Sequence, residues 1–129
     1  VDPAKTVELY TIFLRWERTS LNKRIKERTK DMLLKGWIDE VENLLELQTN
    51  RQKIFSSLNS IGYKHIKSFL NNEISKEEMF EIICIRTRQL ARRQEKWFKK
   101  EPINLFVMMD SLKGEKIYKI LDCFVNRIP

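Results

Sequence analysis

Two short apolar runs, separated by roughly ninety residues that read as helices, limit the fold more than any other feature of this chain. Leu9 to Trp16 reads LYTIFLRW, and Ile103 to Met109 reads INLFVMM. Near-continuous apolar and aromatic content of this kind suits strands buried on both faces. Two such strands can pair, but two strands alone rarely bury both faces of a sheet. The sequence therefore predicts a mostly α segment with two short β-strands, from a larger α/β protein whose remaining sheet lies elsewhere. A self-contained helical domain carrying one small ribbon is the alternative.

The intervening stretch divides by its capping residues. Thr19 or Ser20 can cap a helix from about Leu21 to Lys35, which Gly36 would end in the left-handed conformation that costs glycine least. Trp37 opens a second helix, whose Trp37, Val41, Leu44, Leu45 and Gln48 share a face, and the polar run Gln48 to Lys53 reads as a loop. A short helix covers Ser60 to Leu70 and stops near Asn71 and Asn72. Ser75 with Glu78 three residues on forms a capping box for a long helix that must end before Pro102. Ile117, Ile120, Leu121, Phe124 and Ile128 describe an amphipathic terminal helix, about 113–127. The expectation is one segment over 1–129: strand 9–16, helices over about 20–100, strand 103–109, terminal helix.

The long helix carries the clearest functional signal. Arg86 to Phe98, RTRQLARRQEKWF, holds four arginines and one lysine. At about 100° per residue, Met79, Ile83, Leu90 and Trp97 fall within roughly 40° of one direction and are expected to face the core. Arg86, Arg93 and Lys100 line one border of that stripe, while Arg88, Arg92, Lys96 and Lys99 gather on the far side. Such a helix suits an acidic partner. The whole chain agrees, with 25 Lys and Arg against 18 Asp and Glu, a net charge of +7. On the first helix Leu21, Ile25 and Met32 set the apolar direction, and Arg28 lies roughly 40° from it, with Arg24 and Lys35 just beyond. A guanidinium there should be partly desolvated, and should then meet a carboxylate such as Asp31 or Glu40, or an anionic ligand.

Other chemistries find little support. Cys84 and Cys123 belong to no C-x-x-C pair and are expected to be reduced, buried thiols. His65 is the single histidine and is assigned a surface or packing role. No phosphate-loop pattern and no G-x-G-x-x-G occurs. No apolar run reaches membrane-spanning length, and Val1 to Lys5 lack a signal-peptide layout, so a cytoplasmic location without membrane contact is expected.

Three colinear segments resemble the C-terminal half of the bacterial tRNA dimethylallyltransferases, also called tRNA isopentenyltransferases. LNKRIKERTKDMLLKGWIDEVENLL, Leu21 to Leu45, is similar to that family's helix pair. SLNSIGYKHI, Ser57 to Ile66, resembles its I-G-Y-K/R motif. TRQLARRQEKWF, Thr87 to Phe98, resembles its T-R-Q-L-A-K/R-R-Q-x-x-W-[FL] signature, the most specific of the three. Asn59 stands where the family often has Arg or Gln, and Arg86 replaces a small residue.

The resemblance implies part of an enzyme that transfers a dimethylallyl group from dimethylallyl diphosphate to N6 of the adenosine beside the anticodon in tRNA. It also implies the C-terminal segment of an α/β, P-loop kinase-like, ATP-binding core. The family's phosphate loop and catalytic aspartate lie N-terminal to the matched region, so this segment is expected to hold no catalytic base and no cofactor, and to be inactive alone. Mg2+ and a monomeric state are implied for the complete enzyme. By position, Arg28, with Arg24 one turn back, would face the diphosphate. Asn59, Ser60, Ile61, Gly62, Tyr63 and Lys64, together with Arg86, Thr87, Arg88, Gln89, Arg92 and Arg93, match stretches that contact the tRNA anticodon stem-loop. Chemically, Gly62 would permit a close backbone approach, Tyr63 would offer a stacking face, and the cations would neutralise phosphates. Without the resemblance, two other classes fit the same residues: a non-enzymatic basic helical RNA-binding module, and an interaction domain for an acidic protein.

Overall fold

The computed structural model describes residues 7–111 and 114–126. Strand β1 (Ile12–Arg15) is followed by helices α1 (Arg18–Leu34), α2 (Trp37–Arg51), α3 (Tyr63–Leu70) and α4 (Lys76–Phe98). Strand β2 (Leu105–Met108) and helix α5 (Gly114–Val125) close the order. The protein is mostly α with two short parallel strands. The chain separates into two compact units, residues 21–93 in one and residues 1–20 with 94–129 in the other.

In the unit containing the strands, β1 and β2 pair in parallel, Ile12 opposite Leu105 and Arg15 opposite Met108. Asn104 opens the pairing by accepting the Thr11 amide on Oδ1 at 2.8 Å while its own amide donates to the Thr11 carbonyl at 2.9 Å. Phe13 packs on Phe98 and Phe106, with ring centroids at 5.4 and 5.8 Å. Arg15 pairs with Glu95. Burial on both faces does not hold: Leu9 is 77% exposed, Leu14 49% and Phe106 47%. Among the described residues the sheet has two strands, and two strands alone rarely bury both faces. The strands are also shorter than the apolar runs that contain them.

The other unit holds the larger core, formed by Trp37, Val41, Leu58, Ile66, Met79 and Ile83. Helix starts and stops follow local chemistry closely. Gly36 takes φ of 97°, ending α1 in the left-handed region and preceding α2. Ser75 and Glu78 complete the capping box: the Ser75 amide donates to Glu78 Oε2 at 2.8 Å, and the Glu78 amide to Ser75 Oγ at 3.1 Å. Asn72 turns left-handed at φ of 58° after α3.

Several expectations need correction. Helix α1 begins at Arg18, so Thr19 and Ser20 lie inside it rather than capping it. Helix α2 runs on through Gln48 to Arg51, where a loop was expected. Gln48 faces inward and accepts the Phe55 amide at 3.1 Å, which ties the following turn to the helix. Residues 56–59 form a separate 3-10 turn, and α3 starts at Tyr63 rather than Ser60. The terminal helix covers Gly114–Val125; the expected ends at 113 and 127, and Ile128, lie outside the described residues.

Candidate functional site

The turn leading into α3 is built around Gly62. Its φ is 91°, and a Cβ at this position would lie 2.1 Å from the Trp37 ring, so both backbone and space require glycine. The close approach that glycine permits is therefore occupied by an indole. Tyr63 meets Trp37 edge-on, with centroids 5.7 Å apart, and its hydroxyl donates to Glu40 Oε1 at 2.8 Å. That bond, with burial, raises the Tyr63 pKa above its ordinary value. Trp37 Nε1 comes near the Tyr63 hydroxyl, but no pairing satisfies donor geometry, so the indole N–H is buried without a partner. The Ser60 carbonyl accepts the Lys64 amide at 3.2 Å, and the Gly62 carbonyl accepts Ile66 at 2.9 Å. Asn59, Ser60 and Lys64 are exposed, while Ile61 and Tyr63 are half-buried.

His65 is buried beneath this turn, with Nδ1 accepting the Gly62 amide at 3.2 Å. Desolvation lowers its pKa, and the charges of Lys64 and Arg86 lower it further. The charges of Lys64 on α3 and Arg86 on α4 thus both reach one imidazole. The sequence assigns His65 a surface or packing role; the signal for the bond is its position three residues after a glycine, where a helix N-terminus accepts a back-reaching side chain.

Along α4 the buried row differs from the one expected. Met79 and Ile83 are buried as predicted, but Leu90 is 37% exposed and Trp97 57%. Cys84 is buried, and Thr87, Arg88, Ala91, Glu95 and Phe98 are half-buried. The buried row on α4 is thus Met79, Ile83 and Cys84 and does not continue along Leu90 and Trp97. Thr29 on α1 is buried, and its hydroxyl interacts with the Cys84 thiol, so α1 meets α4 at a Thr and a Cys. Burial raises the Cys84 pKa despite that hydroxyl. Arg86 hydrogen-bonds Gln89 at 3.2 Å, and the Thr87 hydroxyl donates to the Ile83 carbonyl at 2.8 Å. Arg92 and Arg93 are exposed.

Arg28 departs from expectation. Helix α1 buries Ile25 and Thr29, which moves its inner direction about 80° from Arg28. Arg28 and Arg24 are both exposed. Asp31 pairs with Lys35 at 2.7 Å and Glu40 holds Tyr63, so neither proposed carboxylate meets Arg28. Among the described residues, Arg28, Lys64, Arg92 and Arg93 enter no ion pair, and no contact joins Arg28 to the Lys64 and Arg86 group. Also among the described residues, no group of three or more His, Cys, Asp or Glu side chains could hold a metal ion, so none is assigned to Mg2+. No helix there is long and apolar enough to cross a membrane.

These elements define a basic helical segment with a short parallel strand pair. The chain belongs to the IPP transferase family, whose model matches residues 2–101. A tRNA dimethylallyltransferase of Campylobacter jejuni strain RM1221 is 44% identical over 96 residues, covering 74% of this chain and 32% of the relative. One from Phytoplasma australiense is 34% identical over 128 residues, covering 95% of this chain and 42% of the relative. Two solved structures share the fold. The tRNA isopentenylpyrophosphate transferase of Bacillus halodurans matches with a TM-score of 0.80 at 29% identity, over 92% of this chain and 38% of that one. The tRNA delta(2)-isopentenylpyrophosphate transferase of Staphylococcus epidermidis matches with 0.85 at 26%, over 96% and 39%. The chain thus spans between about a third and two-fifths of the length of these relatives.

Proposed function

We propose that this chain is the tRNA-facing portion of a tRNA dimethylallyltransferase, in which dimethylallyl is transferred from its diphosphate to N6 of an adenosine next to the anticodon. The observation that carries this reading is the exposure of Lys64 on α3 and of Arg86, Arg92 and Arg93 on α4, with Lys64, Arg92 and Arg93 in no ion pair among the described residues. Free guanidinium and ammonium groups on a rigid helical support neutralise phosphates and set register on an RNA backbone. The half-buried Tyr63 is held by Trp37 and Glu40, and its role is to shape the turn.

Arg28 has a separate task in this reading. Exposed and unpaired, it remains available to a dianionic leaving group, and fixed positive charge lowers the barrier when diphosphate departs. The described residues supply no base for the adenosine amine, and the transfer step requires groups outside them. By itself the segment binds RNA and does not turn over substrate.

Binding to an adenosine-rich anticodon stem-loop and to a scrambled hairpin, each across a salt series, tests the reading. The chain should prefer the anticodon hairpin. Changing Arg92→Ala and Arg93→Ala together should weaken binding and make the slope of log affinity against log salt shallower by about 1.5 to 2. Equal binding of both hairpins would reduce the site to a basic surface. Absence of binding would remove RNA from these residues altogether.

A further inference from the structure

We propose that His65 is a positioning residue for the RNA-facing turn, its unprotonated Nδ1 holding the Gly62 amide so that Ser60 to Lys64 keeps one conformation. The inference rests on the function proposed above and extends it to a residue that does not itself face RNA. An N–H donor needs a lone pair, so Nδ1 carries none of the imidazole protons and the neutral ring keeps its proton on Nε2. An imidazolium has donors at both nitrogens and cannot accept this bond. Helix N-termini more often use Glu or Gln at this position to reach back to the cap amide; here an imidazole performs that task.

The surroundings restrict what else the turn can do. Trp37 blocks the Cβ side of Gly62, and the Gly62 carbonyl is already bonded to Ile66. Beside the Ser60 carbonyl, which holds the Lys64 amide, the Gly62 amide is a second anchor within the turn, and His65 holds it. Among the charged groups, Lys64 on the same helix and Arg86 on α4 act on the ring, and both oppose its protonation. Their charge thereby favours the neutral imidazole, the form that holds the turn carrying Lys64. Protonation of His65 would release the Gly62 amide and loosen Lys64, although it adds a positive charge. Selectivity between hairpins, rather than total affinity, is the quantity that separates these two effects.

The test uses the 129-residue chain, isotopically labelled, with His65→Gln and His65→Ala. Imidazole nitrogen shifts, Gly62 amide protection corrected for intrinsic exchange, and the affinity ratio of anticodon to scrambled hairpin are followed from about pH 8 to about pH 5. The expected result is an Nε2-protonated ring at the upper end, with Gly62 protection and hairpin preference falling together on acidification. His65→Ala should show, at every pH, a preference roughly fivefold below that of the unsubstituted chain at the upper end, the effect of one neutral hydrogen bond. His65→Gln keeps an acceptor that does not titrate, and should retain both protection and preference across the range. The assignment is overturned if Gly62 protection in His65→Ala equals that of the unsubstituted chain. It is equally overturned if His65→Gln shows the same acid-side loss. Should the unsubstituted chain show no hairpin preference at all, the proposed function fails, while the nitrogen shifts and Gly62 protection still decide the His65 assignment.

Discussion

Gly62 shows how little freedom a single residue can have. Alanine there would place a methyl carbon 2.1 Å from the Trp37 ring and hold a side chain at φ of 91°. Overpacking and backbone strain together should cost roughly 2–4 kcal/mol, read as a lower urea midpoint for Gly62→Ala. The two thiols offer a second check at this scale. Cys84 is buried, with its pKa raised first by desolvation, whereas Cys123 is exposed, contrary to the expectation that both are buried. A thiol-specific reagent under native conditions should therefore modify Cys123 readily and Cys84 only after denaturant is added. Equal rates would mean that the packing of Thr29 against Cys84 is absent in solution.

At the scale of elements, α4 depends on its first turn as much as on its buried row. Ser75→Ala removes the side-chain half of the capping box and should destabilise the protein by about 1 kcal/mol, measured by chemical denaturation. Glu78→Gln preserves the geometry and should cost less. Helix α4 also shows where periodicity misleads. Met79 and Ile83 were legible as core because bulky apolar side chains announce themselves, but Leu90 and Trp97 share their direction and remain substantially exposed. Thr87 and Ala91 are half-buried, positions that bulky apolar periodicity does not mark. On α1 the buried residues are Ile25 and Thr29, a polar side chain that periodicity of apolar residues does not mark, and Arg28 lies outside that direction. Capping residues act within three or four positions, and Gly36 and the Ser75–Glu78 pair are legible for that reason, whereas Thr19 and Ser20 lie inside α1.

Over the whole molecule, two titrations bear on stability and share a sign. His65 has a native pKa below its ordinary 6.5, so between those values the unfolded chain binds more protons. Its contribution is complete above about 6.5 and is lost as pH falls through the native value. Burial pulls the Glu95 carboxyl upward, but Arg15 and then Lys99 outweigh it and hold it below the ordinary 4.5. Its contribution is likewise present above that value and disappears as pH falls through the native one, and solvent exposure keeps it small. Urea midpoints should fall from neutral pH toward acid, with His65→Gln removing the upper part of the decline and Glu95→Gln the lower. A midpoint independent of pH in the unsubstituted chain would contradict both assignments. The sequence by itself determined the order of elements, the glycine between α1 and α2, the capping box and the basic character of α4, because these arise from interactions between residues a few positions apart. Tertiary structure alone decided that Gly62 lies under Trp37, that Arg28 is exposed and in no ion pair, and that both strands keep exposed faces. Periodicity tells which residues share a face; which face another element covers depends on contacts between distant residues, and those exist only once the chain has packed.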